Sequence, residues 1–173
     1  MLRESVGYQT NGEDEIRTLC SAAEQFAELG VDGVVIGFLK DDRVDIELTL
    51  RILTSAPDLR ATFHHAFEDA RSQLEALREI KSLLQVDRIL SSGGSGELEV
   101  RRLRLDAYER AAAPEVQIIA GGGMDMKAIG VLRRTTSIRE FHVGRAAREG
   151  FRVAGAVQAE LVRELVRATK QTL

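Results

Sequence analysis

Apolar residues recur at three- and four-residue intervals over 13–29, at Ile16, Leu19, Cys20, Ala23, Phe26 and Ala27, which predicts a helix with one buried stripe that Gly30 ends. The pattern then changes. Residues 33–38 (GVVIGF) form a short apolar run rich in β-branched side chains, the mark of a strand covered on both faces. After a loop holding Asp41 and Asp42, Asp45 is a candidate N-cap for a second helix with Ile46, Leu50 and Leu53 in register, stopping near Pro57.

The same unit recurs down the chain. The pattern predicts strands at 61–65, 88–91, 116–120 and 140–143. Between them lie helices at 72–84 (Leu74, Leu77, Ile80, Leu84), 98–112 (Leu98, Arg102, Leu105, Tyr108) and 126–134. A last helix runs from about 153 to 172, with Val157, Leu161, Leu165 and Val166 facing the core. Buried strands alternating with helices mean parallel βαβ units, since parallel strands need a crossover. Five strands fit either a (β/α) barrel or an open doubly wound sheet, and a length of 173 residues favours the open sheet. No low-complexity linker divides the chain, so residues 1–173 are read as a single domain.

Composition narrows the setting. Apolar residues make up 44% and charged residues 29%, a balance that supports a packed core. A net charge of −3 gives no clustered positive surface for nucleic acid or an anionic membrane, so neither is an expected partner. One cysteine, no apolar run long enough to span a bilayer and no signal-peptide pattern point to the cytoplasm.

In either architecture, ligands sit at the carboxyl ends of the strands. The residues there are Gly37, then His64, His65 and Glu68, then Ser91, Ser92, Gly93 and Gly94, then Gly121, Gly122 and Gly123, then His142, Gly144 and Arg145. Glycines let backbone N–H groups converge on an anion, which makes Ser92, Gly93, Gly94, Gly121, Gly122, Gly123, His142, Gly144 and Arg145 candidate ligand contacts. His64 is the candidate general base or metal ligand, with Glu68 to orient it. The spacing of the three histidines matches no compact zinc motif. Cys20 is expected in the core, and the RRLR run at 101–104 on a solvated helix face.

The ordered series GVVIGFLKDDRVDI, TFHHAFED, DRILSSGGS, IIAGGGM and EFHVGRAAR closely resembles the CutC family, named for copper homeostasis. The resemblance implies a TIM-barrel-like (β/α) fold, amino-terminally truncated, whose visible strands are the fourth to eighth. Arg3 and Gly7 would then be survivors of a loop after the third strand, with Arg3 a further candidate anion contact. It also implies copper as cofactor, although the cysteines proposed as copper ligands in the family lie in segments without a counterpart here, Cys20 matches neither, and the metal ligands stay unknown.

Three functions follow as alternatives: a copper-binding protein of copper homeostasis; a TIM-barrel-type enzyme acting on a phosphorylated or otherwise anionic small molecule; or a degenerate, non-catalytic copy. A partial barrel exposes two sheet edges, which predicts a homodimer or higher homo-oligomer.

Overall fold

The computed structural model describes residues 1–170. Helix α1 (Glu13–Glu28) leads into strand β1 (Gly33–Ile36), a small hairpin of β2 (Leu39–Lys40) and β3 (Arg43–Val44), and helix α2 (Ile46–Thr54). Strand β4 (Arg60–Phe63), the short helix α3 (Ala66–Asp69), helix α4 (Gln73–Lys81) and strand β5 (Val86–Ser91) follow. The rest comprises α5 (Leu98–Ala112), β6 (Gln117–Ala120), α6 (Met126–Thr135), β7 (Glu140–Phe141), two 3-10 turns (Arg145–Ala147 and Glu149–Phe151) and α7 (Ala159–Lys170). Strands β1, β4, β5, β6 and β7 form a five-stranded sheet in that order, with the parallel pairs Val34↔Ala61, Phe63↔Ile89 and Ile119↔Glu140 and a register shift between β4 and β5 at Ala61/Thr62. The α/β alternation read from the sequence is thus the architecture of the chain.

The described residues group into two compact units: Met1–Ile89 with Ala111–Gln117, and Leu90–Arg110 with the chain from Ile118 onward.

In the first unit the core is built on alternation along the strands. Ile36 of β1 and Phe63 of β4 are paired in register and fully buried, with Ile52 of α2 and Phe67 of α3 also inaccessible to water. Asp45 caps α2, its carboxylate accepting the Leu48 N–H at 3.0 Å, as predicted. The free side of β1 is also used: the Leu2 N–H donates to the Val35 carbonyl at 2.8 Å, and the Tyr8 carbonyl accepts from the Leu39 N–H at 2.8 Å. The segment from Leu2 to Tyr8 therefore lies along this sheet edge, with the Leu2 side chain buried.

Several predicted stripes are displaced. Helix α2 buries Leu48, Thr49, Ile52 and Leu53 and leaves Leu50 in solvent. Helix α4 buries Ala76, Leu77 and Ile80, leaves Leu74 exposed, and ends at Lys81, so that Leu83 turns inward and Leu84 outward. In α1 only Leu19 and Ala23 are buried, Phe26 is exposed, and Cys20 is half-buried rather than in the core. The cause is common to all three: a helix on a sheet of short strands has one narrow seam to cover, and these sequences carry more apolar residues than the seam can take.

In the second unit, α7 starts at Ala159 instead of near Val153. Arg148 and Val157 form an antiparallel bridge, and Gly155 packs against backbone carbonyls of Glu149 and Arg152 where no side chain fits, so this stretch folds back on itself before the helix begins. Of the residues predicted to face the core from this helix, Leu165 is buried and Val157 and Val166 are exposed. Gln171 and Thr172, the end of the predicted helix, lie outside the described residues.

Candidate functional site

The candidate residues fall into two sets, one in each unit, each at the carboxyl ends of its strands. In the first unit His64 follows β4 directly. It is 4% exposed, and its ring lies so close to Gly37, after β1, that a Cβ there would sit 2.6 Å from ring atoms Cε1 and Nδ1. Gly37 is thus required by the histidine itself. His64 Nδ1 accepts the Ala66 N–H at 3.1 Å, which assigns the ring hydrogen to Nε2, and Nε2 has no partner. Tyr8 stacks at a tilt on the ring, centroids 5.4 Å apart, and the Arg3 guanidinium lies 6.0 Å from the Tyr8 ring centroid.

Burial, then the positive charge of Arg3, then that of His65 push the His64 pKa down from 6.5 to about 4. His64 is therefore neutral at pH 7 and, with Nδ1 engaged by the Ala66 N–H, offers a donor at Nε2. A neutral imidazole donor polarises a carbonyl, carboxylate or phosphoryl oxygen without itself taking the proton. Burial and the neighbouring Asp69 carboxylate, which is hydrogen-bonded to the Tyr8 side chain, hold the Tyr8 hydroxyl above its usual range. The ring of His64 is oriented by its own backbone through Ala66. Glu68 places a carboxylate oxygen 3.6 Å from Nδ1 of His65, an ion pair when His65 is protonated.

The depressed His64 pKa fixes a sign for pH dependence. The unfolded chain takes up this proton near pH 6.5 and the folded chain only near pH 4, so the stabilisation is present above pH 6.5 and is lost as pH falls through that window. Between pH 7 and pH 5 the expected loss from this group is about 2 kcal/mol. Urea unfolding of the wild type and of His64→Gln at both pH values measures it. Equal pH slopes in the two proteins would show that His64 does not carry the effect.

In the second unit, the loops after β5 and β6 meet. Gly93, Gly94, Gly122 and Gly123 all adopt positive φ, between 67° and 81°, a region open to glycine and strained for other residues. At Gly122 a Cβ would overlap the Ser92 side chain, and at Gly121 it would lie 2.6 Å from Leu90 Cδ1 and 3.6 Å from the His142 Cβ. At Gly123 it would lie 3.7 Å from a terminal nitrogen of Arg145. Gly144 has open space around it and a negative φ of −108°, so an added methyl group would meet no neighbour there. His142 is exposed, its N–H spent on the Ala120 carbonyl at 2.8 Å.

The amides in these loops are not equivalent. The Gly93 N–H donates to Ser91 Oγ at 3.0 Å and the Gly94 N–H to Ser92 Oγ at 3.1 Å, so the β5 loop closes on its own serines. The Gly121 N–H is held by the Ser91 carbonyl at 2.8 Å. Among the described residues, the N–H groups of Gly122 and Gly123 meet no protein acceptor, and Arg145 stands beside them.

In the RRLR run Leu103 and Arg104 are exposed, as expected, and Arg101 and Arg102 are half-buried, but two of the arginines also reach the glycine loops. Arg101 donates from Nε to the Ser92 carbonyl at 2.7 Å, and from Nη2 to the carbonyls of Gly122 at 2.6 Å and Gly121 at 3.2 Å. Arg104 donates to the carbonyls of Ser95 and Gly93 at 2.6 and 3.1 Å. Arg102 instead pairs with Glu99 on the same helix. The signal was present: Arg101 and Arg104 are three apart and share a helix face directly after a glycine loop whose carbonyls need donors.

Parallel strands alternating with helices, with glycine-rich loops at the strand ends, give the chain an α/β layout of the TIM-barrel kind. The chain belongs to the CutC family, whose model matches residues 1–147. It is 33% identical over 139 residues to family protein CutC of Bacteroides fragilis, covering 80% of this chain and 54% of that protein. With family protein CutC of Xylella fastidiosa it is 28% identical, across 99% of this chain and 69% of the other. The chain thus spans about half the length of several of the curated relatives it matches. Among solved structures, the CutC protein of Streptococcus agalactiae, whose name carries the copper-homeostasis designation, shares the fold with a TM-score of 0.73. That alignment is 22% identical and covers 80% of this chain and 68% of the other.

The family name raises copper, and the donor set here does not fit it. Among the described residues no three His, Cys, Asp or Glu side chains are grouped to hold a metal ion. Cu(I) favours thiolate and thioether ligands. Cys20 lies on α1 with its sulfur 3.9 Å from the Arg51 carbonyl, Met124 is in the core, and Met126 is exposed. Among the described residues, no helix is long and apolar enough to cross a membrane.

Proposed function

We propose that this CutC-family chain holds a small phosphorylated or otherwise anionic molecule at the glycine loop after β6. The observation that carries this reading is the pair of unpartnered N–H groups of Gly122 and Gly123 beside the Arg145 guanidinium. Open backbone amides with a nearby guanidinium are the chemistry of phosphate and carboxylate recognition. Turnover of such a ligand is the finer form of the proposal.

Copper binding, the role suggested by the family's name, is the second reading, and the scattered donors described above weigh against it. Calorimetry with inorganic phosphate and with a sugar phosphate is expected to show saturable binding to the wild type. Arg145→Ala should weaken it about tenfold, the scale of one charge-assisted contact. In parallel, dialysis after loading with Cu(I) or Cu(II) should leave the folded protein without stoichiometric copper. Retention of near-stoichiometric copper together with no anion binding would replace this reading with the copper one.

A further inference from the structure

Arg101 and Arg104 of helix α5 grip the glycine loops by main-chain carbonyls, and this has a stereochemical consequence. A peptide group is planar and trans, so its N–H points away from its C=O. The Gly121 carbonyl and the Gly122 N–H belong to one peptide, and the Gly122 carbonyl and the Gly123 N–H to the next. Both carbonyls turn toward the Arg101 guanidinium, at 3.2 and 2.6 Å. Both N–H groups therefore turn away from α5. The same guanidinium ties the Ser92 carbonyl at 2.7 Å, fixing the β5 loop against the β6 loop, where Ser92 already fills the space a side chain at Gly122 would need.

We infer that Arg101 is the positioning residue of the anion site: it sets the two peptide planes of the β6 loop so that the Gly122 and Gly123 N–H groups face away from α5 as open donors to an oxyanion such as a phosphate group. This rests on the anion-binding reading above. The guanidinium is suited to the task because its planar fork reaches three carbonyls at once, which an ammonium cannot do, and its charge polarises the bonded peptides so that their N–H groups donate more strongly. Arg104 supports the β5 loop through Gly93 and Ser95, whose amide neighbours are closed by serine hydroxyls, and is not needed for the open pair.

The test is an inorganic phosphate titration of the full chain followed by amide NMR and calorimetry. In the wild type the Gly122 and Gly123 amide signals are expected to shift on binding. Arg101→Lys keeps the charge and loses the fork, and should weaken phosphate at least about tenfold, equivalent to one or two well-aligned hydrogen bonds, with its melting temperature little changed. Arg101→Ala should regain affinity in millimolar ethylguanidinium and not in ethylammonium, a rescue that a general packing role would not give. Wild-type phosphate affinity in Arg101→Lys would overturn the role of Arg101 while leaving the anion site standing. Gly122 and Gly123 amides that do not respond to phosphate in the wild type would overturn both. If Arg101→Lys fails to fold, the rescue of Arg101→Ala decides: affinity restored by ethylguanidinium supports the inference, and equal effects of the two cations refute it.

Discussion

Phe63→Ala is expected to remove about 3–5 kcal/mol of folding stability, the usual cost of deleting a fully buried aromatic side chain. Phe63 has no accessible surface, pairs in register with the equally buried Ile36, and its ring lies 6.2 Å from that of His64. The cavity would open beside His64, whose Nε2 has no partner among the described residues, so the loss reaches the site as well as the core. Against a total stability of about 5–15 kcal/mol for a domain, a loss of this size leaves a large unfolded fraction. Leu84→Ala is the contrasting case: Leu84 is 88% exposed, and its replacement should change stability by less than about 0.5 kcal/mol. Urea unfolding followed by circular dichroism measures both. Similar midpoints for the two variants would mean that the register of β1 and β4 given above is wrong.

The second large effect is expected at Gly122. Alanine there faces two separate obstacles, a backbone at φ 67° and a Cβ that would overlap Ser92. The strain alone costs about 1 kcal/mol, and the clash forces the β5 and β6 loops apart, which breaks the alignment of the amides. Gly122→Ala should lower stability by about 1–3 kcal/mol and reduce phosphate affinity by more than tenfold. Gly144→Ala is the control, since Gly144 has room for a methyl group and a negative φ; it should bind phosphate as the wild type does. Should Gly122→Ala bind as tightly as Gly144→Ala, the loop after β6 is not the anion site.

The alternation of strands and helices was readable because each strand is a short apolar run bounded by turn residues, and the cap at Asp45 because its chemistry is local. The strand ends at His64 and at the glycine clusters followed from topology, since parallel sheets expose those ends. What escaped the reading was set by tertiary context. Leu50, Leu74 and Leu84 fit a helical period as well as their buried neighbours do, and only the width of the covered seam separates them. The hairpin of β2 and β3 turns on Asp41 and Asp42 in left-handed conformations, which aspartate adopts more readily than most residues but which no periodicity announces. Glycines alone did not distinguish the closed amides of Gly93 and Gly94 from the open ones of Gly122 and Gly123, because the difference lies with hydroxyls of Ser91 and Ser92. Arg101 acts on carbonyls 9 to 21 residues away, whereas Tyr8 meets His64 and Asp69 from a distant stretch of chain that no local pattern connects to them.

Main-chain carbonyls are present whatever side chain a residue bears. A brace that grips only Ser92, Gly121 and Gly122 through those oxygens therefore places little demand on neighbouring identities, such as Ser95 or Val143, so long as the strained positions stay glycine. Drift at the rim of the loops can then alter which molecule is welcomed while the donor frame beneath is inherited unchanged, and descendants of this sequence can diverge in ligand preference without first having to rebuild the pocket floor.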